Sequence, residues 1–313
     1  MTARIFIDGA AGTTGLEIHQ RLAGRGEFRV VTLSDRDRKD DSARRAALND
    51  ADVVILCLPD DAAREAVAMI ETGAVRVIDA SSAHRVAAGW SYGFPELDPG
   101  HDGVIASARF VSNPGCYPTG FLALVRPLVR AGIMPPDWLL SVNATSGYSG
   151  GGKAMIAAFE DPADPQADAT AHRAYALDLA HKHLPEMRDR AGLDHAPIFQ
   201  PSVVRTLRGM LLEVPLHLHA LPGSPSVAHV AEALAETYRG SPVVRVRPET
   251  PAIVRIEDDA GTDRMTLYVS GNAATGQARL IATLDNLGKG ASGAAVQNLN
   301  LMTGLDPTSG LTL

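Results

Sequence analysis

The sequence is poor in cysteine and in basic tracts, and each scarcity excludes a class of protein. Its 313 residues include only two cysteines, Cys57 and Cys116, which cannot build a disulfide framework and suit a reducing compartment such as the cytoplasm. A net charge of −7 without a basic run argues against nucleic acid as a partner. No apolar run is long enough to span a membrane, and the N-terminus lacks the features of a signal peptide.

Length and composition indicate a two-domain protein with ample core. A chain of 313 residues predicts about two domains, and 45% of the residues are hydrophobic. Because the net charge is negative, an anionic substrate would have to be attracted by local arginines and helix ends.

A glycine-rich turn follows the first predicted strand, residues 5–8, and leads into a predicted helix. The pattern G-x-x-G-x-x-G is related to the dinucleotide fingerprint, in which glycines let backbone N–H groups approach a pyrophosphate. Alone it is equally typical of a plain turn, but its place between a strand and a helix favours a cofactor site. The cofactor-binding candidates in this turn are Gly9, Gly12, Thr13, Thr14 and Gly15.

The end of the second predicted strand carries the features that distinguish NAD from NADP. Asp35 lies about where an acidic residue binds the ribose of NAD. Ser34, Arg36 and Arg38 flank it and suit a 2′-phosphate, so we expect NADP. The alternative is a solvated, charged loop.

Strands and helices alternate over the first part of the chain and then give way to clustered strands. The alternation predicts a Rossmann-type doubly wound parallel sheet. The clustered strands predict an α+β catalytic domain with a mostly antiparallel sheet. We expect an NADP-binding domain of residues 1–115 and 286–313 and a catalytic, dimerising domain of residues 116–285. Ligands bind beyond the carboxyl ends of parallel strands, where Ser81 and the cysteine motif are expected to share one crevice.

Cys116 lies where a predicted strand, residues 103–108, and the turn Asn113-Pro-Gly lead into a helix. The N–H groups and dipole of a helix N-terminus stabilise a thiolate. A thiolate at such a turn is a candidate covalent nucleophile. The alternative is a small buried cysteine that only packs, but the flanking Pro and Gly residues favour the nucleophile.

Two histidines and a glutamate, His181, His183 and Glu186, lie close together on a segment predicted to be helical from residue 174 until it breaks near Pro185. A metal site would need further ligands at suitable spacing, and none is present, so we expect no metal. General acid–base chemistry fits the cluster better, since imidazole titrates near neutrality.

Several stretches together resemble one family, the shorter type of N-acetyl-γ-glutamyl-phosphate reductase. They are Gly9-Ala-Ala-Gly-Thr-Thr-Gly15, Tyr92-Gly-Phe-Pro-Glu-Leu97, Ser112-Asn-Pro-Gly-Cys-Tyr-Pro-Thr119, His181-Lys-His-Leu-Pro-Glu186, Arg208-Gly-Met and Lys289-Gly-Ala-Ser-Gly-Ala-Ala-Val-Gln-Asn298. The resemblance implies a two-domain fold shared with aspartate-semialdehyde and glyceraldehyde-phosphate dehydrogenases. It also implies NADPH, arginine biosynthesis and a homodimer or homotetramer.

The resemblance implies roles for individual residues as well. Cys116 would form a thioester with an acyl phosphate and release inorganic phosphate, and His181 or His183 would exchange a proton with the substrate oxygen. Of the two we favour His181, with Glu186 orienting it. Asn286 would approach the nicotinamide. The candidates for binding substrate are Arg109, Asn113, Lys153, Arg205 and Arg208, and which of the cations binds phosphate and which carboxylate is left open.

Two alternatives compete with this hypothesis. One is a reductase for a related acyl phosphate, of the aspartyl or aminoadipyl type. The other is a non-catalytic NADP-binding sensor with the same fold, against which Cys116 and the histidine pair argue.

Overall fold

The computed structural model describes residues 2–167 and 169–313, and the chain divides into two compact units. The first unit contains the residues up to Pro95, Gly100–Pro114 and Ala291–Leu311. The second contains Glu96–Pro99, Gly115–Gly290 and Thr312–Leu313. Each unit has its own sheet.

The first unit is built on parallel strands, as the alternating pattern predicts. Its strands are β1 (Ala3–Asp8), β2 (Phe28–Val31), β3 (Val53–Leu56), β4 (Arg76–Asp79), β5 (Ser91–Tyr92) and β6 (Phe110–Ser112). Its helices are α1 (Thr13–Leu22), α2 (Asp41–Asn49), α3 (Asp60–Ala68), α4 (His101–Ser107) and, from the end of the chain, α9 (Gly293–Met302). The strand order is β2-β1-β3-β4-β6-β5, and every pair is parallel.

Helices cover both faces of this sheet, which explains why its strands are apolar throughout. On one face α1, α4 and α9 bury Ile18, Ile105 and Val296 against the strands. On the other face α2 and α3 bury Leu48 and Ala63. The prediction of a Rossmann-type doubly wound sheet is therefore confirmed.

Two elements of the first unit differ from the sequence prediction. The apolar run at residues 103–108 is not a strand but most of α4, in which Ile105 is fully buried and Val104 is 48% exposed. One inward residue per turn is a helical pattern that a run this short does not distinguish from a strand. Helix α2 was missed because only Leu48 of its residues is buried, and its start depends on Asp40, whose carboxylate caps the N–H groups of Ser42 and Ala43.

The second unit contains a mixed sheet with helices packed on it. Its strands are β7 (Ser141–Gly147), β8 (His172–Ala174), β9 (Ile198–Val204), β10 (Met210–His217), β11 (Val244–Val246), β12 (Met265–Asn272) and β13 (Gln277–Leu284). Its helices are α5 (Cys116–Arg130), α6 (Gly152–Glu160), α7 (Leu184–Ala191) and α8 (Val227–Thr237), and a π-helical turn spans Gly288–Ser292.

The strand order of this sheet is β11-β12-β13-β10-β7-β9-β8. Only the β11–β12 and β7–β9 pairs of the described strands are parallel, so the prediction of a mostly antiparallel sheet is confirmed. Helix α5 packs on β10, β12 and β13 and against α7 and α8. The helix that begins with Cys116 is therefore held on a rigid support.

The segment around the histidines is not the predicted helix. After β8 the chain is irregular up to His183, which is the N-cap of α7, and Pro185 lies in the first turn of that helix. Proline suits a first turn because that N–H group needs no partner within the helix. Residues 251–256 are one of the clustered strands that the sequence predicts, but in the described structure they form no strand.

An ion-pair cluster fastens the short segment Glu96–Pro99 to α5. The Asp98 carboxylate accepts hydrogen bonds from Arg126 Nε (3.1 Å) and Nη2 (2.9 Å) and from Arg130 Nη1 (2.9 Å). Burial alone would raise the pKa of Asp98, but these two guanidinium groups bring it below its ordinary value of 3.8. The stabilisation is therefore present above pH 3.8 and is lost as the pH falls through the lower, folded-state pKa.

We expect Asp98→Asn to lower the free energy of unfolding by about 1 kcal/mol at pH 7, because two charged donors lose their anionic acceptor. Urea unfolding at pH 7 and in steps below pH 3.8 measures this, and the difference from wild type should shrink as the pH falls. Asp61→Asn is the control, since Asp61 pairs with Arg64 on the exposed surface. Equal effects of the two variants would contradict the prediction.

A search of the described helices finds none that is both long and apolar enough to cross a membrane.

Candidate active site

Cys116 is the first residue of α5, and its turn is held by a buried carboxylate. Gly115, the N-cap, donates its N–H to Glu186 Oε1 over 2.8 Å, and Glu186 is 2% exposed. The Gly115 carbonyl accepts the Thr119 hydroxyl at 2.8 Å. Cys116 itself is partly exposed. A partly exposed thiol at a helix N-terminus is where a reactive thiolate is stabilised.

Gly290 lies directly against the nucleophile. A Cβ atom at this position would come within 2.9 Å of both Cys116 Cβ and the carbonyl oxygen of Asp285. No side chain fits there without displacing Cys116, so the glycine is required by close packing. The neighbouring Lys289, 1% exposed, pairs with Glu96 at 2.7 Å. Two of the stretches that carry the family resemblance are thus joined by a buried ion pair.

The two histidines are neighbours, and one orients the other. Their ring centroids are 4.7 Å apart, and the backbone N–H of His183 donates to His181 Nδ1 over 3.1 Å. Since Nδ1 is the acceptor, the proton of neutral His181 lies on Nε2. His181 is partly exposed and His183 is buried. The geometry therefore leaves His181 with an N–H donor on the side of the ring away from the backbone.

Tyr117 and Tyr175 connect the cysteine to the histidines, and sequence reasoning missed both. The Tyr175 hydroxyl donates to the Tyr117 hydroxyl at 3.1 Å, and each tyrosine ring contacts His181, at centroid distances of 6.1 and 5.8 Å. Burial raises the pKa of Tyr175 to about 12, opposed by its bond to Tyr117, while the neighbouring Cys116 raises it further. Burial also raises the pKa of Tyr117 well above its ordinary value, and the neighbouring Tyr175 and Cys116 raise it further. Both phenols therefore stay neutral donors beside the thiol.

The segment that carries Tyr175 and His181 has an unusual backbone. Ala176 and Leu179 adopt left-handed conformations, with φ of 50° and 56°. Such conformations cost of order 1–3 kcal/mol in non-glycine residues and cluster at functional sites. Strained residues between Tyr175 and His181 are expected if the positions of these two side chains determine the path of the backbone.

The second cysteine differs from Cys116 in reactivity. Burial, with the nearby charges of Asp79 and Asp8, raises the pKa of Cys57 to about 12. Cys57 is therefore a protonated, unreactive thiol at neutral pH.

The structure separates the four cationic candidates. Arg109 is in the first unit, where it donates to the carbonyl oxygens of Val75 (3.1 Å) and Thr72 (2.8 Å). It precedes β6, at the end of the strand opposite its carboxyl end, and substrate binding by Arg109 stays a prediction. Lys153 is exposed at the start of α6.

The other two cationic candidates lie in the second unit. Arg208 pairs with the buried carboxylate of Asp285 at 3.5 Å. Arg205 donates to the carbonyl oxygen of Phe159 at 3.0 Å and lies over its ring. Arg205 is the cation that remains next to an aromatic surface.

Three further candidates hold the structure through their side chains. Asn286 donates to Ser149 Oγ (2.8 Å) and accepts from Gly209 N–H (3.0 Å) within the second unit. In the first unit Ser81 donates from its hydroxyl (2.7 Å) and N–H (2.9 Å) to Asp79. These contacts make Asn286 and Ser81 supports of their loops.

Asn113 has all its polar groups engaged in the first unit. Its Nδ2 donates to the Ala291 carbonyl at 3.0 Å, and its Oδ1 accepts from Asn298 Nδ2 at 3.0 Å. Its backbone oxygen accepts from Arg85 Nε at 3.0 Å, and its N–H donates to Asp79. These contacts position the end of β6, and substrate binding by Asn113 stays a prediction. Asn298 is the last residue of a stretch that carries the family resemblance, but no individual role was predicted for it.

The glycine-rich turn of the first unit fits a dinucleotide. Gly12 is the N-cap of α1, and the turn closes with a Gly12 N–H to Gly9 carbonyl bond of 3.0 Å. Thr13 Oγ1 is buried without a hydrogen-bond partner in the described part of the chain, as expected of a group that a ligand satisfies. Thr14 and Gly15 continue the first turn of the helix, whose N–H groups suit a pyrophosphate.

Gly9 permits this turn, and its substitution is expected to weaken dinucleotide binding. It has φ of 89°, and a Cβ there would lie 2.3 Å from the Cys57 carbonyl oxygen. We expect Gly9→Ala to weaken NADPH binding at least about 10-fold, since backbone must shift. Fluorescence titration measures this. Gly24→Ala is the control, because Gly24 also has positive φ, 78°, but open space around it; equal affinities of the two variants would contradict the prediction.

At the end of β2, the residues expected to recognise the 2′-phosphate of NADP are exposed. Ser34 and Arg36 are on the surface. The Ser34 hydroxyl donates to Asp37 Oδ2 at 2.8 Å, and Asp35 pairs with Arg38 at 3.1 Å. The acidic residue that would favour NAD is therefore partly neutralised by its neighbour.

Among the described residues no group of three or more histidine, cysteine or acidic side chains is arranged to hold a metal ion.

Family models match most of the chain. Residues 4–102 match the NAD-binding domain of semialdehyde dehydrogenases, and residues 116–286 match their dimerisation domain. Curated relatives named N-acetyl-gamma-glutamyl-phosphate reductase are similar along the whole length. The relative from Brucella anthropi is 51% identical over 309 residues, which cover 97% of this chain and 99% of the relative. The relative from Brucella ovis is 52% identical, with coverages of 97% and 100%.

Solved structures share the fold at low identity. Aspartate semialdehyde dehydrogenase II from Vibrio cholerae, complexed with ASA, matches with a TM-score of 0.72 and 16% identity over 97% of this chain and 99% of its own. Aspartate semialdehyde dehydrogenase with NADP from Candida albicans matches with a TM-score of 0.69 and 16% identity over the same coverages. The fold is that of the semialdehyde dehydrogenases, and its first unit is a nicotinamide-dinucleotide-binding domain.

Proposed function

Since the chain belongs to the N-acetyl-γ-glutamyl-phosphate reductases of the semialdehyde dehydrogenase family, we propose that it reduces N-acetyl-γ-glutamyl phosphate with NADPH. The products are N-acetyl-L-glutamate 5-semialdehyde and inorganic phosphate, in arginine biosynthesis. The observation that carries the proposal is Cys116 at the N-terminus of α5, with its turn bonded to Glu186 and tyrosines linking it to His181.

The chemistry follows from these residues. The Cys116 thiolate forms a bond to the acyl carbon, the carbon–oxygen bond to phosphate breaks, and inorganic phosphate leaves with the electron pair. When bound, NADPH supplies the hydride that reduces the thioester. The Nε2–H of neutral His181 donates a hydrogen bond to the oxygen that gains negative charge, and the proton stays on the imidazole. Breaking of the carbon–sulfur bond then regenerates the thiolate and releases the aldehyde.

We propose that Glu186 positions Cys116, whereas the sequence analysis expected it to orient His181. Its bond to Gly115 N–H fixes the turn that presents Cys116, so it positions the nucleophile. The buried phenols of Tyr117 and Tyr175 stay neutral. Tyr175 donates to the Tyr117 hydroxyl, which donates to the Ser202 carbonyl oxygen at 3.3 Å, so the two phenols hold each other in place beside His181.

We also propose a cofactor preference, an oligomeric state and a compartment for this protein. We propose NADPH over NADH, because Ser34 and Arg36 are exposed at the end of β2 and Arg38 offsets Asp35. A homodimer or homotetramer is supported by the dimerisation domain that residues 116–286 match. A reducing compartment such as the cytoplasm suits an enzyme that depends on a reduced thiol.

A phosphate-dependent reverse assay tests the proposal. N-acetylglutamate semialdehyde, NADP and inorganic phosphate are mixed with the protein, and NADPH absorbance is followed, with aspartate semialdehyde and the aminoadipate homologue in parallel. We expect the acetylated substrate to be oxidised fastest and NAD to replace NADP poorly. Faster oxidation of one of the two homologues would assign a different substrate and leave the covalent mechanism unchanged. NADP binding without turnover of any aldehyde would favour a sensor.

A further inference from the structure

A buried aspartate holds a histidine ring at the carboxyl end of β4, in the first unit. Asp79, the last residue of that strand, is fully buried, and its Oδ2 lies 2.6 Å from His84 Nδ1. Because a carboxylate only accepts hydrogen bonds, Nδ1 is the donor, and Nε2 of the neutral ring is left as an acceptor. Nε2 points away from Asp79 and has no hydrogen-bond partner among the described residues.

The loop that carries His84 is held in place from several sides. Trp90 stacks on the His84 ring at a centroid distance of 4.1 Å and an angle of 11°. Ser82 donates from its N–H and its hydroxyl to Asp60 Oδ1, at 3.0 Å each, and Asp60 is the first residue of α3. His84 is 9% exposed, so packing as well as Asp79 sets its orientation. We therefore expect a ligand atom at Nε2, since polar groups buried this deeply normally have a partner.

The order of the strands indicates which part of a dinucleotide reaches His84. The sheet runs β2-β1-β3-β4, and these strands are parallel, so their carboxyl ends lie side by side. In doubly wound sheets the end of β2 addresses the adenosine ribose, and the glycine turn after β1 addresses the pyrophosphate. The nicotinamide half is then directed over the ends of β3 and β4. The end of β4 lies two strand spacings, about 10 Å, from the end of β1.

We propose that His84 binds the nicotinamide half of NADPH, with Nε2 accepting a hydrogen bond from an O–H or N–H group of the nicotinamide nucleoside. Ribose hydroxyls and carboxamide N–H groups are the donors that this half offers, and an acceptor nitrogen fits either of them. Asp79 is a positioning residue in this inference, because it fixes the tautomer and the direction of the ring. The inference rests on the NADPH binding of the proposed function and adds His84 to the residues that carry it.

Binding of NADPH and of 2′,5′-ADP to wild type and to His84→Phe tests the inference. Phenylalanine keeps a ring that can stack on Trp90 but has no acceptor nitrogen. We expect His84→Phe to raise the Kd for NADPH about 5- to 30-fold, the loss expected when one partner of a buried hydrogen bond is removed. The Kd for 2′,5′-ADP, which contains only the adenosine half, should stay within about 2-fold of wild type. His84→Gln, whose side-chain oxygen can accept near the position of Nε2, should lose less affinity for NADPH.

The 3-acetylpyridine analogue of NADPH identifies the donor, because it lacks the carboxamide N–H groups. If His84→Phe loses as much affinity for this analogue as for NADPH, a ribose hydroxyl is the donor. If it loses affinity for NADPH alone, the carboxamide is the donor.

His19→Phe is the control, since His19 is exposed in the last turn of α1 in the same unit, and its affinities for both ligands should equal those of wild type. Unchanged Kd values for both ligands in His84→Phe would overturn the inference. Equal increases for both would do so as well, because the ring would then only support the fold of the first unit. None of these measurements needs turnover: if wild type binds NADPH but oxidises no semialdehyde, the proposed function falls, and the two Kd values still decide the inference.

Discussion

Replacing Cys116 by serine is expected to reduce phosphate-dependent oxidation of the semialdehyde by at least about 1000-fold, because a hydroxyl is a far weaker nucleophile than a thiolate. Wild-type protein mixed with semialdehyde and NADP without phosphate should release a burst of one NADPH per site and then stop. In that experiment the thioester is formed and nothing removes it. Cys116→Ser should give no burst.

Cys57→Ser provides the matched control for this experiment. The pKa of about 12 that burial gives Cys57 leaves no thiolate at neutral pH, so its burst and turnover should equal those of wild type. A full burst from Cys116→Ser would exclude the covalent mechanism. Mass spectrometry of the phosphate-free mixture adds a direct check, since the acyl group should be found on the peptide containing Cys116.

Removing the imidazole of His181 is expected to lower kcat by about 100-fold or more, the usual loss for a group that donates a proton or hydrogen bond in the transition state. The structure fixes the donor, because His183 N–H occupies Nδ1 and the neutral ring keeps its proton on Nε2. His181→Ala should therefore slow thioester reduction while Cys116 still reacts with iodoacetamide. Single-turnover kinetics separate the two steps.

His195→Ala controls for the loss of a histidine, since His195 is exposed in a loop of the same unit. It should retain wild-type kcat. A second comparison, His183→Ala, tests the assignment between the paired histidines. If His183→Ala lost more of kcat than His181→Ala, the donor would have to be assigned to His183.

Much of the fold was predictable because its pattern is local. The apolar strands of the first unit and the glycine turn at Gly9 follow from periodicity and turn chemistry alone. Helix α2 was missed because its stability depends on one buried leucine and the Asp40 cap. The helix predicted before His183 was wrong: the apolar spacing looked helical, whereas Ala176 and Leu179 adopt left-handed conformations that interrupt a helix.

The nucleophile was predictable from sequence and its surroundings were not. The Asn113-Pro-Gly turn before Cys116 predicts a reactive cysteine at a helix N-terminus. Tyr175 and Lys289 act through partners distant along the chain, and no spacing rule joins Tyr175 to Tyr117 or Lys289 to Glu96. The contacts of Asn113 and Arg109 with backbone carbonyls of distant segments could not be predicted for the same reason.

The position of α9 in the first unit has a consequence for synthesis of the protein. Ala295, Val296 and Leu299 complete the core formed by Ile5 and Val53, although the whole second unit from Gly115 to Gly290 is translated in between. At 5–20 residues per second, roughly 10 to 35 s pass on the ribosome between Pro114 and Ala291. During that interval the part of the sheet that α9 covers stays exposed beside the part that α1 and α4 cover, so the nascent first unit has an incomplete core until Ala295, Val296 and Leu299 are translated.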